Sequence, residues 1–175
     1  FFLRWYGPNN AALTIGGDID PMATLELVNK YFGPILAGPD VENLPKQPAK
    51  LDADRYVSLE DNNIHSPASA LFIPTVYGTH ADEAPLDAAA KIMGQGKASL
   101  LYQRLVQTGR AVSASVRHSC SELTCEMMFI VVQNPSSGET LTEMEIAIRE
   151  TMDEFSSREI SEDDLQKFKA SYESG

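Results

Sequence analysis

Residues 123–133, LTCEMMFIVVQ, constrain the fold more than any other stretch of the chain. Strand side chains alternate between faces, so Met127, Phe129 and Val131 share one face while Met128, Ile130 and Val132 share the other. An edge strand with one wet face would be polar at every second position. This one is apolar on both, which predicts a central strand flanked by neighbours. Residues 112–118 precede it as an antiparallel partner, and the nearly all-apolar residues 68–77 supply another strand, with Pro74 confining that strand to a sheet edge or a bulge.

Helical periodicity surrounds these strands. Residues 138–155 place Met144, Ile148, Met152 and Phe155 at three- and four-residue steps, the mark of an amphipathic helix. Ser161 opens a last helix whose first turn, Glu162, Asp163 and Asp164, puts carboxylates at the positive end of the helix dipole. Asp20 and Pro21 open an earlier helix that Gly33 ends, with Leu25, Val28 and Phe32 on one stripe. Residues 84–93 and 98–107 are helical and are separated by Gly94, Gln95, Gly96 and Lys97. Asp82 is expected to cap the first of these, with Glu83 and Asp87 on its solvated side. Residues 11–15 and 55–59 read as further strands. Residues 33–54 carry four prolines, Pro34, Pro39, Pro45 and Pro48, and form a crossover loop. The resulting order, β-α-β-β-α-α-β-β-α-α, predicts an α+β domain with helices on one face of a mostly antiparallel sheet, the whole of residues 1–175 as a single domain.

Charge narrows the partners. The formal net charge is −11 and the 14 Lys and Arg are scattered, which disfavours nucleic acid and anionic membrane surfaces. No stretch approaches the roughly twenty apolar residues of a membrane span. The absence of an initiator Met before Phe1 and the open-ended final helix are read as signs of a piece cut from a longer polypeptide, whose compartment the chain leaves open.

Candidate chemistry is sparse. A phosphate loop needs a Gly five positions before its Gly-Lys pair and Ser or Thr after it, and those positions hold Lys91 and Ala98. No serine sits in a G-x-S-x-G elbow. The histidines, His65, His80 and His118, are isolated from one another, and no two stand at the helical spacing of a zinc motif. His118 and Cys120 share a strand face, but a fourth ligand is missing, so His118 is expected to be a surface strand histidine beside ordinary thiols and no metal site is assigned. Cys120 and Cys125 are expected to be free or buried thiols; they bridge only if a hairpin brings their Cα atoms within about 7 Å.

Two strings carry a resemblance that the bulk properties do not. FFLRWYGPNNAALTIGGDID at residues 1–20 and GQGKASLLYQRLV at residues 94–106 together resemble the pitrilysin or insulinase-type zinc metallopeptidases, specifically the half-domain that follows the metal-binding one in a bacterial zinc protease. The resemblance covers nearly the whole chain and implies the same α+β half-domain fold. The family's inverted H-x-x-E-H helix and its downstream Glu are missing here, so no residue is assigned a catalytic role. What the resemblance implies is an inactive half-domain that shapes a cavity and helps hold peptide substrate, with zinc held by an upstream half-domain and none in this chain. Gly94, Gln95, Gly96 and Lys97 are the substrate-contact candidates. The alternative is a scaffold or assembly domain of a relative that has lost zinc. Expected partners are the upstream zinc-binding half-domain and a peptide; self-association or a homologous subunit would also cover the exposed aromatics Phe1, Phe2, Trp5 and Tyr6.

Overall fold

The computed structural model describes residues 1–173 and divides into two compact units, Phe1–Leu44 and a second that begins at Pro45. The first unit holds a short helix α1 (Phe2–Trp5), a 3-10 turn at Pro8–Asn10 and helix α2 (Pro21–Phe32). Helix α2 starts where the sequence predicts. The Asp20 carboxylate accepts hydrogen bonds from the amides of Met22 and Ala23 at 2.8 and 2.9 Å, and Pro21 costs nothing at a position whose amide has no helical partner. None of its residues is buried, and Leu25 and Phe32 of the expected stripe lie open.

The second unit contains the core. Three strands, β1 (Ala68–Pro74), β2 (Ala111–Cys120) and β3 (Cys125–Gln133), form an antiparallel sheet in the order β1-β3-β2. The strand apolar on both faces is therefore central, and Pro74 ends an edge strand, as its missing amide requires. Register sets Phe129 opposite Leu71 on one side and opposite Val116 on the other. Helices α3 (Glu83–Gly94) and α4 (Leu141–Ser157) cover this face. Ala90 and Met93 from α3, and Met144, Ala147 and Ile148 from α4, pack with Leu101, Leu105, Val116, Met127, Phe129 and Val131 in one apolar cluster. The architecture is α+β, with helices on one face of the sheet.

Caps account for the helix boundaries. Thr140 and Glu143 form a reciprocal capping box at the start of α4, and the hydrogen bonds from Thr140 hold the Glu143 carboxyl below the usual carboxylate range. Ser161 does the same for α5 (Glu162–Glu173), exchanging hydrogen bonds with Asp164.

Several expectations fail, each for a local reason. Residues 11–15 and 55–59 are not strands, because a strand needs a neighbour to receive its backbone hydrogen bonds and neither segment has one. The second segment is instead tethered to α4 by side chains: Tyr56 donates to Glu145 at 2.8 Å, and Asp54 pairs with Arg149 at 3.3 Å. Asp82 precedes α3 without a side-chain cap bond; Glu83 reaches back to the Thr79 amide at 2.6 Å in its place. The expected helix over residues 98–107 contains a π turn at Tyr102–Val106, closed by the Gln107 amide on the Tyr102 carbonyl at 2.9 Å. Cys120 and Cys125 are not free thiols. They stand directly opposite at the end of the β2–β3 pair, with Cα atoms 4.1 Å apart, and are joined by a disulfide.

Candidate functional site

The substrate-contact candidates do not behave as one loop. Gly94 is the last residue of α3 and is buried against β2: a Cβ there would lie 2.2 Å from the Val116 amide nitrogen. Its lack of a side chain lets the helix approach the sheet. Gly96 has φ +81° with open space around it, so it serves the turn itself. Its carbonyl accepts the Ser99 hydroxyl at 2.8 Å and the Ser99 amide at 3.2 Å, which fixes the turn on a buried serine. Gln95 and Lys97 are exposed, and among the described residues the Lys97 ammonium has no hydrogen-bond or ion-pair partner.

The turn borders a recess of about 180 Å³ whose far wall is formed by Arg158, Asp164 and Lys167. Burial pushes the Asp164 carboxyl up, but hydrogen bonds from Ser161 and Arg158 outweigh it and hold the group below its ordinary value. The Asp163 carboxylate, 2.5 Å away, raises the Lys167 ammonium. With those two cations paired, Lys97 and Lys91 are, among the described residues, the unpaired charges bordering the recess, and Lys97, the more exposed of them, is suited to meeting a carboxylate.

A second cluster went unseen in the sequence. His118 is not a surface histidine: its side chain is fully buried. Its Nδ1 lies 2.8 Å from Asp87 Oδ1 and its Nε2 lies 2.9 Å from Thr75 Oγ1. Asp87, expected on the solvated side of α3, instead reaches β2 and is two-thirds covered, its side chain 34% exposed. The available signal was the period of two, since His118 lies two residues beyond Val116 and shares its core-facing side. The Cys120–Cys125 bridge lies next to this ring, with Cys120 Sγ 3.8 Å from Nδ1 and 3.9 Å from Nε2.

Neither cluster fits a peptidase zinc centre. That chemistry needs two imidazoles on one helical face with a carboxylate base beside the metal. His118 is on a strand, its sulfur neighbours are joined to each other, and His80 sits in a separate turn, 3.6 Å from Asp82. Arg104, on the π turn, is spent on Glu150 and Glu154, at 2.6 Å each.

Comparison with known proteins places this arrangement. A family model described as the peptidase M16 inactive domain matches residues 1–172. The chain is 27% identical over 173 residues to zinc protease PqqE of Helicobacter pylori, covering 97% of this chain and 38% of that protein. A solved protease from Helicobacter pylori superposes with a TM-score of 0.76 at 24% identity, over 98% of this chain and 42% of the other. An inactive peptidase domain from Bordetella parapertussis gives a TM-score of 0.57 at 21% identity, over 67% and 63%. The two structural likenesses speak for the fold. The chain spans about two-fifths of the length of these Helicobacter relatives.

Proposed function

Because the chain belongs to the peptidase M16 family, as one of its inactive domains, we propose that it works inside a longer zinc protease by shaping the substrate cavity and helping to hold the peptide. The observation that carries this reading is the exposed turn Gln95-Gly96-Lys97, set on the buried Ser99 and presenting an unpaired ammonium at the mouth of a recess. Such a turn binds and orients; it has no group that would activate water. Gly94 serves this surface indirectly, by seating α3 on β2. Zinc, and with it hydrolysis, falls to the other half-domain, which is the proposed partner. Among the described residues no helix is long and apolar enough to cross a membrane.

The test uses the full-length protein with its zinc half. Lys97→Ala is expected to raise KM for a peptide ending in a free carboxylate by roughly two- to fivefold, the worth of an exposed charge pair. Zinc content, kcat and melting temperature should stay unchanged. An unchanged KM would remove the turn from substrate holding. A full-length protein that loads no zinc and cleaves no peptide would favour an assembly role instead.

A further inference from the structure

We infer that Cys120, Cys125 and His118 form a second, non-catalytic metal site, closed while the disulfide stands and opened by reduction to take one Zn²⁺-class d¹⁰ cation. Geometry supplies the first argument. One ligand atom from each residue lies within 4.8 Å of the others. Tetrahedral zinc with Zn–S of about 2.3 Å and Zn–N of about 2.05 Å sets its ligand sulfur and nitrogen about 3.6 Å apart and its two sulfurs about 3.8 Å apart. Cys120 Sγ lies 3.9 Å from Nε2 of His118 and 3.8 Å from Nδ1, beside the ring, so on release from the bridge it must swing toward the Nε2 lone pair. Once the bridge is reduced, χ1 changes on two strands already in register, with Cα atoms 4.1 Å apart, can spread the sulfurs to that separation.

The second argument is the surroundings of His118. A histidine that ligates zinc usually donates its other ring N–H to a carboxylate, which fixes the tautomer and the ring plane. Asp87 Oδ1 at 2.8 Å from Nδ1 already stands where that partner belongs. Nε2 then carries the lone pair, which at present accepts the Thr75 hydroxyl at 2.9 Å. On metal binding Thr75 would give up that bond. The arrangement is a preformed imidazole with two sulfurs beside it, not an exposed acidic cluster.

Access is the third. Cys120 is open to solvent, and a recess of about 310 Å³ lined by Pro74, Ser119, Cys120, Ser121, Thr124 and Cys125 lies over the bridge. A dithiol reductant attacks Cys120 Sγ through its thiolate. The S–S bond breaks, Cys125 leaves as the thiolate and a mixed disulfide forms on Cys120. The reductant's second thiolate then displaces Cys120, closing its own disulfide, so two electrons pass to the pair and the reductant is oxidised. Protonated, the pair holds two thiols; Zn²⁺ binding releases those two protons as it takes two thiolates and the neutral imidazole. Water completes the four ligands.

The experiment compares the whole chain before and after treatment with a water-soluble phosphine that is removed under nitrogen. Co²⁺ is titrated first, for its thiolate charge-transfer band, and is then displaced by Zn²⁺. The reduced chain should bind one equivalent and the oxidised chain none. Cys120→Ser should abolish the charge-transfer spectrum of a tetrahedral dithiolate, and Asp87→Asn, which leaves all three ligands in place, should weaken Zn²⁺ roughly 10- to 100-fold without changing stoichiometry. If the reduced chain loses its fold, recovery of circular dichroism on adding one equivalent of Zn²⁺ supports the site. Failure to recover, equal binding by the oxidised chain, or binding indifferent to Cys120→Ser would each overturn it.

Discussion

Residues Phe1–Leu44 and the unit that begins at Pro45 are held by opposite means. The later unit is built around apolar contact: Phe129, Leu101, Leu105, Met144 and Ile148 are essentially excluded from water and touch one another. In the first unit Gly7 is the one buried residue among those described. Its order comes from side chains bonding to backbone. Asn9 accepts the Gly38 amide at 2.7 Å and donates to the Pro39 carbonyl at 3.2 Å, while Asn10 donates to the Trp5 carbonyl at 2.9 Å. Gly7 lets the two backbones approach, since a Cβ on it would meet Gly38 Cα at 2.9 Å. The Gly-Pro-Asn-Asn string is thus a clamp between two backbone segments. A region can be locally ordered by such polar bonds and still leave Phe1, Phe2 and Tyr6 open to solvent, their rings stacked only on one another and Trp5.

The sharpest way to test this contrast is to remove a ring from each unit. Phe129→Ala is expected to cost about 3–5 kcal/mol of unfolding free energy, whereas Phe32→Ala, half exposed on α2, should stay within about 0.5 kcal/mol. Urea unfolding read by circular dichroism decides it, and similar losses would erase the distinction between the units. Gly94→Ala comes next. Its new methyl would strike the Val116 backbone, and a shift of α3 away from β2 should cost about 1–3 kcal/mol, read as a lower urea midpoint at unchanged slope.

A smaller effect is expected from Asn9→Ala, which forfeits the clamp on Gly38 for about 1 kcal/mol. Limited proteolysis should then cut faster around residues 34–44 while the urea transition of the core stays put; a lowered core transition would show that the clamp stabilises more than its own unit. The smallest change is in pH response. Thr140 holds the Glu143 carboxyl down, so its folded value lies below the unfolded reference of 4.5. The contribution is therefore full above that reference and is lost as pH falls through the lower, folded value. Glu143→Gln should flatten that part of the acid-unfolding curve of α4; an identical curve would mean the capping box has no pH-linked role.

What could be read from residues alone follows the same division. The central strand, the amphipathic α4 and the caps at Asp20 and Ser161 were visible because periodicity and capping act within one element. The disulfide and the Asp87–His118 pair were not. Whether two cysteines five apart bridge depends on where the hairpin places them, and the two-residue step from Val116 to His118 marks a shared face without telling that α3 lays Asp87 across it. Residues 11–15 and 55–59 show the converse. Apolar composition marks a segment that would pair if offered an edge, but composition cannot supply the neighbour. The candidate site was legible as a stretch of four residues, yet its parts proved to differ, since Gly94 belongs to packing and Lys97 to the surface.

One detail of the helix after that turn bears on how this chain can change length. The π turn at Tyr102–Val106 holds one more residue than an α-helix would need between the buried Leu101 and Leu105 and the strand that follows. Losing one codon there, at Gln103, would move Leu101 and Leu105 from four apart to three, and both spacings keep two side chains on the same helical face. The same loss inside β3 would send Phe129 or its neighbours to the opposite face of the sheet. Slack and rigidity thus sit about twenty residues apart, so genes for this domain should accept single-residue gaps at the first place and refuse them at the second.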